Sequence, residues 1–177
     1  MKARAASLLV AIPIATPLGE FIAHYSQKGL AGLDFPNNGR ADLPVGLDAP
    51  QRVPTDALSG QIRRWHCTTM AALKSVLVGR EPENLPPLDW TGKTEFQQAV
   101  WRAMLKIPVG KTTSYGELAA AIGKPKAVRA VGGACGANPI PVLVPCHRVL
   151  AARGKIGGFG GGLDWKRKLL AREGIHL

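Results

Sequence analysis

Three short apolar runs near the start of the chain alternate with turn signals, a pattern typical of an antiparallel β-sheet. The runs are Leu8–Ile14, Glu20–Tyr25 and Leu30–Phe35. Thr16-Pro17-Leu18-Gly19 and Gln27-Lys28-Gly29 separate them, and the proline and glycine residues there favour turns. The pattern therefore predicts three antiparallel strands.

The spacing of apolar residues changes further along the chain. Pro36–Pro54 is rich in Pro, Gly, Asn and Asp, which predicts an irregular surface loop. From about Asp56 to Val78, apolar residues recur at helical spacing and predict one amphipathic helix. Arg80–Gly92 contains three prolines and is typical of a linker. We therefore expect an N-terminal domain over residues 1–79, a linker over 80–92 and a C-terminal domain over 93–177.

The second half of the chain is predicted to be mostly helical. Thr94–Gln97 and Ser114–Glu117 are capping boxes, each of which marks the start of a helix. Gly123-Lys124-Pro125 breaks the second of these helices, and a further helix is predicted near Ala127–Gly136. Two short helices joined by such a turn form a helix-turn-helix, whose second helix normally meets DNA. A last helix is predicted at Leu163–Glu173.

The charge of the chain also favours a partner such as DNA. The chain has 177 residues and a formal net charge of +11, and from residue 93 onward 14 Lys or Arg stand against 4 Asp or Glu. One-sided charge of this size favours a polyanion partner over a merely solvated basic surface. No apolar run is long enough to span a membrane. We expect double-stranded DNA as the partner, with no membrane and no obligate protein partner.

A thiol follows an apolar run in Pro141–Val149, and histidine and arginine come directly after it. We expect a strand to end at Pro145, which lacks an N–H group, and the chain to bend there. The bend should place Cys146 and His147 at the rim of a buried element. A thiol beside two potential cations should have a lowered pKa and act as a nucleophile. A small core side chain, the usual fate of a free cysteine, is the alternative.

The other cysteines, Cys67 and Cys135, do not suggest further chemistry. Their spacing predicts neither a disulfide framework nor a structural metal site. A reactive thiol suits the reducing cytosol, so we expect a cytoplasmic protein. Lys2 and Arg4 before Leu8–Ala15 resemble a short signal peptide, but Pro13 interrupts that apolar run.

The segments around Cys146 strengthen the nucleophile hypothesis. The predicted second helix has small side chains and one charged residue, Arg129, and Asn138-Pro139 joins it to the thiol segment. Its small residues allow either close approach to DNA or tight helix packing. The glycine-rich loop around Phe159 could close over a flat ligand or be merely flexible. Glu173 is an acid at a helix C-terminus, where the helix dipole disfavours it, which hints at a specific partner.

These motifs resemble the O6-alkylguanine-DNA alkyltransferases, also called methylated-DNA–protein-cysteine methyltransferases. The resemblance covers about residues 94–174 and is most specific at Arg129-Ala130-Val131-Gly132-Gly133, Asn138-Pro139 and Pro145-Cys146-His147-Arg148-Val149. The first half is similar to the family only weakly, through Ile14-Ala15-Thr16-Pro17-Leu18-Gly19. The implied fold class is α+β: a small ribonuclease-H-like α/β domain followed by a mostly helical, winged-helix-like domain with a helix-turn-helix.

The resemblance implies irreversible transfer of an alkyl group from O6-alkylguanine, and from O4-alkylthymine, to the protein's own cysteine in a single turnover. The base would first be flipped out of the duplex. The implied catalytic group comprises Cys146 as acceptor, His147 as base through a water, Glu173 as its orienting group, Tyr115 as donor to the base, and Asn138 as support for the turn. The implied DNA contacts are Arg129 (as a finger filling the stack), Tyr115, Ala130, Gly132, Lys126 and Thr94. Pro141 and Phe159 would wall the base pocket, and backbone groups of Cys146, Val149 and Gly160 would read the base edges.

Two departures from some relatives bear on these expectations. Phe159 and Gly160 stand where others carry tyrosine and serine, which leaves tolerance of bulky adducts open. The first half lacks the Cys/His set that binds zinc in certain members, so neither a metal nor a cofactor is expected. Two alternatives remain at this point: a cysteine hydrolase acting on acyl substrates through Cys146 and His147, and a non-catalytic lesion-binding protein of the same fold.

Overall fold

The computed structural model describes residues 9–36, 51–52 and 58–177, of which 51–52 are described by their backbone alone. The charged residues at the start of the chain and most of the predicted loop at Pro36–Pro54 lie outside the described residues, as does the start of the helix predicted from Asp56. The described part forms a mixed α/β structure with two small sheets and five α-helices.

The larger sheet has four strands in the order β3-β2-β1-β4. β1 (Val10–Thr16), β2 (Gly19–Tyr25) and β3 (Leu30–Asp34) form an antiparallel meander, so the three predicted strands are confirmed. β4 (Gln51–Arg52) pairs parallel with the start of β1. The prediction of a wholly irregular loop was wrong at these two residues, because so short a strand shows no periodic pattern.

One long helix, α1 (Gly60–Leu77), packs on this sheet. Its buried face includes Thr69, Leu73 and Val76, and the hydroxyl of Ser59 caps its first turn by accepting from the Ile62 N–H at 3.3 Å. The predicted amphipathic helix is therefore confirmed.

The proline-rich segment over residues 80–92 packs against the sheet. Leu30 donates its N–H to the Pro87 carbonyl at 2.8 Å and accepts from the Asp89 N–H at 2.8 Å. Trp90 is buried against Trp101, with ring centroids 5.4 Å apart. One hydrophobic core accordingly runs from the sheet into the second half of the chain.

The second half contains four helices around a short parallel ladder. The helices are α2 (Glu95–Met104), α3 (Tyr115–Ala121), α4 (Val128–Gly136) and α5 (Leu163–Arg172), and the ladder pairs β5 (Thr113–Ser114) with β6 (Val149–Leu150). Both predicted capping boxes are present, at Thr94 and Ser114. α3 and α4 pack together as the predicted helix pair. Among the described residues, no helix is both long and apolar enough to cross a membrane.

Candidate active site

The residues from Asn138 to Leu150 are all buried, and the side chain of Asn138 organises them. Its Nδ2 donates to the Val144 carbonyl at 2.8 Å and lies 3.2 Å from the Cys146 Sγ. Its Oδ1 accepts from the Ile140 N–H at 3.1 Å. One amide therefore links the exit of α4 to the turn that carries the thiol.

The segment before Cys146 is a turn, so the prediction of a strand there was wrong. Val142 has φ +73, which is unusual for a β-branched residue, and Val144 donates its N–H to the Ile140 carbonyl at 2.9 Å. The predicted bend is present: Pro145 (φ −80, ψ 64) has inverse γ-turn angles, and the Cys146 N–H donates to the Val144 carbonyl at 2.8 Å. A single 3₁₀ turn, Cys146–Arg148, follows.

Cys146 and His147 do not lie at a rim, contrary to the sequence-based prediction. Their exposed fractions are 7% and 0%, because α2 and α5 pack against the 3₁₀ turn. The thiol is therefore largely shielded from bulk water in this conformation.

His147 and Arg148 both bind Glu173 at the end of α5. His147 Nε2 lies 2.9 Å from Glu173 Oε1, and Arg148 donates to the same carboxylate from Nε at 3.1 Å and Nη2 at 3.0 Å. The N–H of Gly110 adds a bond of 3.2 Å to Oε2. Burial alone would raise the pKa of Glu173, but the hydrogen bonds from His147 and Arg148 outweigh it and lower that pKa. The carboxylate is ionised and accepts every one of these bonds.

This arrangement fixes the state of the imidazole. Burial lowers the pKa of His147, although Glu173 opposes the shift, so the ring is neutral near pH 7. Because Glu173 only accepts, the proton of the neutral ring is on Nε2. Nδ1 carries the free lone pair and has no hydrogen-bond partner among the described residues. His147 can therefore accept a proton at Nδ1.

The expected lowering of the Cys146 pKa was wrong. Burial raises the pKa of the thiol to about 11, although the Asn138 hydrogen bond and the nearby Lys166 ammonium oppose the rise. The two residues expected to act as cations do not do so, because His147 is neutral and Arg148 is paired with Glu173. Cys146 is thus a neutral thiol near pH 7 that needs a base to become a nucleophile.

Lys166 is the site residue that sequence reasoning missed. It is fully buried on α5, and its Nζ donates to the Val149 carbonyl at 2.7 Å and the Gly158 carbonyl at 3.4 Å. Burial lowers its pKa, and the Cys146 thiolate, when formed, would favour its charged state. Its position on the same helical stripe as the buried Leu169 and Leu170 was the available signal.

Tyr115 begins α3 and is half-buried near the thiol. Burial, and then the neighbouring Cys135 and Cys146, raise the pKa of its phenol, which stays protonated. Its hydroxyl lies close to Gly157: a β-carbon built there would come within 3.1 Å of that oxygen. The phenol therefore stands between the helix pair and the glycine-rich loop.

Apart from Tyr115, the expected DNA contacts lie at α4 and at the N-terminal cap of α2. Lys126, Arg129 and Ala130 are exposed at the start of α4, and Gly132 is half-buried with open space where a side chain would be. Thr94 caps α2 by accepting from the Gln97 N–H at 3.2 Å. Arg129, Ala130 and Gly132 therefore lie on α4, and Lys126 lies two residues before it.

The expected pocket residues differ in how far they are buried. Pro141 and Val149 are buried, and the Val149 carbonyl already accepts from Lys166. Phe159 is half-buried against Phe35, and Gly160 is exposed. No group of three or more His, Cys, Asp or Glu side chains suited to a metal occurs in the described part of the chain.

A buried thiol beside a hydrogen-bonded His–Glu pair, joined to a helix pair with exposed cations, is an arrangement suited to thiol chemistry on a polyanion. The sequence profile of the 6-O-methylguanine DNA methyltransferase DNA-binding domain matches residues 95–175. A methylated-DNA–protein-cysteine methyltransferase of Methanosarcina acetivorans is 57% identical over 160 residues, which are 90% of this chain and 94% of that protein. The chain therefore belongs to the methylated-DNA–protein-cysteine methyltransferase family, and the resemblance stated from the sequence is confirmed.

Further relatives differ in how much of each chain is matched. The crystal structure of Mycobacterium tuberculosis OGT in complex with DNA is 36% identical with a TM-score of 0.70, covering 92% of this chain and 91% of that one. The methyltransferase of Mycolicibacterium paratuberculosis is 60% identical over 89 residues, 50% of this chain. The matched part of this chain spans about half that relative's length, 53%.

The buried carboxylate makes stability depend on pH. Glu173→Gln should destabilise the protein by roughly 3–5 kcal/mol at pH 7, because Arg148 loses its buried counter-charge. Since the pKa of Glu173 is lowered in the folded state, its contribution is complete above the ordinary carboxyl pKa and is lost as pH falls through the folded value. Urea unfolding from pH 7 to pH 3 should therefore show the gap between the two proteins closing in acid.

The control for that measurement is Asp164→Asn, which removes an exposed carboxylate 3.7 Å from Arg167. An exposed pair contributes little, so this variant should match the unmodified protein at every pH. An equal loss at Glu173 and Asp164, or a gap that widens in acid, would contradict the assignment.

Proposed function

We propose that this protein repairs DNA by transferring an alkyl group from O6-alkylguanine to its own Cys146, once per molecule. The observation that carries the proposal is a neutral buried thiol beside a neutral imidazole whose Nδ1 is free to accept a proton. Family membership and the DNA complex of the M. tuberculosis relative support it. We include O4-alkylthymine as a second substrate because its alkyl group is also bound through an exocyclic oxygen.

We infer a ribonuclease-H-like domain over residues 1–79, a linker over 80–92 and a winged-helix-like domain over 93–177. The sheet with α1 supports the first, and the α3–α4 pair beside the β5–β6 ladder supports the last. In this scheme the first domain supports the site and the last domain carries the chemistry.

DNA binding comes first. Lys126 and Arg129 offer two exposed cations where α4 begins, and Ala130 and Gly132 allow its backbone to approach a groove closely. The alkylated oxygen faces the interior of the duplex, so the nucleotide has to be flipped out. The long side chain of Arg129 fills the gap in the stack, and Tyr115 borders the path to the thiol. The opening of the buried site is coupled to this event.

Proton removal follows. With a thiol pKa of about 11, only about one molecule in 10⁴ carries a thiolate at pH 7, so a base has to act. His147 Nδ1 takes the thiol proton through a water, and Glu173 stabilises the imidazolium formed. Lys166 stabilises the negative charge on sulfur, and Asn138 donates to it.

Alkyl transfer then forms one bond and breaks another. The Cys146 sulfur attacks the alkyl carbon in line, a C–S bond forms, and the bond between that carbon and O6 breaks with its electron pair leaving on guanine. The Tyr115 phenol, held protonated, donates a hydrogen bond that spreads the charge of the leaving base. The product is a thioether, which water does not readily cleave, so the reaction occurs once.

The test is stoichiometry. The protein, mixed with excess duplex DNA containing O6-methylguanine and a metal chelator, should gain at most one methyl group, and peptide mapping should place it on Cys146 rather than Cys67 or Cys135. Cys146→Ala should bind DNA and transfer nothing, and Cys135→Ala is the matched control. Repeated turnover would favour a cysteine hydrolase, and tight lesion binding without transfer would favour a non-catalytic recognition protein.

A second test concerns the insertion of the Arg129 side chain into the base stack. Arg129→Ala should slow repair in duplex DNA by about 10–100-fold, because the cost of unstacking, a few kcal/mol, is no longer offset by the inserted side chain. The reaction with free O6-benzylguanine requires no flipping and should be nearly unchanged. Single-turnover rates on the two substrates measure the difference.

Arg167→Ala serves as the control, because it removes the same charge from an exposed position on α5. It should affect neither reaction strongly. Equal losses of rate on both substrates in Arg129→Ala would contradict the insertion of this side chain into the stack.

A further inference from the structure

Phe35 lies directly after β3, in the half of the chain to which no reaction chemistry has been assigned, and its ring contacts the glycine-rich loop beyond Cys146. The rings of Phe35 and Phe159 meet edge to face, with centroids 5.7 Å apart and an interplanar angle of 70°. Phe159 is the residue expected to wall the base pocket. The Phe35 side chain therefore links the sheet to Phe159, which is expected to line the base pocket.

Gly161 shows how closely the loop backbone lies on this ring. A β-carbon built on Gly161 would come within 2.5–2.8 Å of three ring carbons of Phe35, which is closer than real contacts allow. The φ of Gly161 is outside the left-handed region, unlike that of Gly162 at +89. The absence of a side chain at Gly161 thus serves close packing on Phe35 and not an unusual backbone conformation.

The same strand end also holds the other side of the site. Leu33 donates its N–H to the Pro139 carbonyl at 2.9 Å, next to Asn138. The Phe35 ring also packs against Trp165, with ring centroids 5.0 Å apart, and against Phe21, with ring centroids 5.7 Å apart. β3 and the residue after it consequently contact both segments that flank the thiol, the exit of α4 and the loop at residues 159–161.

We propose that Phe35 is a positioning residue for alkyl transfer: its ring fixes the Phe159–Gly161 loop at the distance from Cys146 that a flipped purine requires. This inference rests on the proposed function and adds a specificity role for the N-terminal half. Phe35 does not touch the reacting atoms. It acts through the loop, so its loss affects capture and orientation of the base more than the reactivity of the thiol.

The experiment compares two aromatic-to-leucine changes in the full-length protein. Phe35→Leu removes the ring under the loop, whereas Phe21→Leu removes a ring of the same cluster that packs against Phe35 and Trp165. Both should lower the melting temperature by similar amounts. Phe35→Leu should also lower the second-order rate constant for free O6-benzylguanine by about 10–100-fold, since small misplacements of a reacting group cost this much.

A second readout separates positioning from thiol chemistry. Alkylation of Cys146 by iodoacetamide, located by peptide mapping, needs no base-shaped pocket and should be no slower in Phe35→Leu. Gly161→Ala should reproduce the loss with O6-benzylguanine because its methyl group collides with the ring, and the double variant should lose little more than either single variant because both changes act on the same contact. Gly158→Ala is the matched loop control, because its added methyl group meets nothing within 4 Å.

Three outcomes would overturn the role. They are equal rates with O6-benzylguanine in the two leucine variants, a parallel loss of iodoacetamide reactivity in Phe35→Leu, and simple additivity of the Gly161 and Phe35 changes. A failure of the unmodified protein to alkylate Cys146 from either substrate would instead overturn the proposed function, and this proposal with it.

Discussion

The buried ion pair between Arg148 and Glu173 holds the site together. Glu173 ends α5, Arg148 ends the 3₁₀ turn, and the Arg148 Nη1 also donates to the Ile107 carbonyl at 2.5 Å. Two charges in the interior are costly unless their hydrogen bonds are complete, and here Gly110 and His147 complete them. The pair therefore requires α5, the turn that carries the thiol and the segment after α2 to meet in one geometry.

The chemistry of the site follows from the same pair. Because the hydrogen bonds from His147 and Arg148 keep Glu173 ionised, the carboxylate can only accept, and it sets the proton of His147 on Nε2. The free lone pair is then on Nδ1, and this nitrogen can act as the general base for the thiol. Burial keeps Cys146 protonated in the resting protein, so reactivity depends on the neighbouring base instead of on a permanent thiolate. In the proposed function, burial protects the Cys146 sulfur until a flipped nucleobase has entered the site.

The sequence predicted those parts that depend on local interactions. The capping boxes at Thr94 and Ser114, the three strands and the bend at Pro145 are each set by neighbouring residues. What failed depends on contacts between distant segments. The direction of the Cys146 pKa shift could not be predicted, because the burial that raises this pKa depends on distant helices packing against the turn. The sequence also does not show that the guanidinium of Arg148, two residues after the thiol, is bound to Glu173. Lys166 was missed because its acceptors lie in other segments, as was Phe35, whose partners in the glycine-rich loop are more than 120 residues away.

The central claim is that the resting site holds a neutral thiol and a neutral imidazole. Thiolate absorbance near 240 nm, taken as the difference between the protein and Cys146→Ala, tests this directly during a titration from pH 5 to pH 10. We predict no Cys146 thiolate signal near neutral pH and only its onset at the alkaline end, consistent with a pKa of about 11. A full thiolate signal with a midpoint below pH 7 would show a preformed thiolate–imidazolium pair and contradict the account.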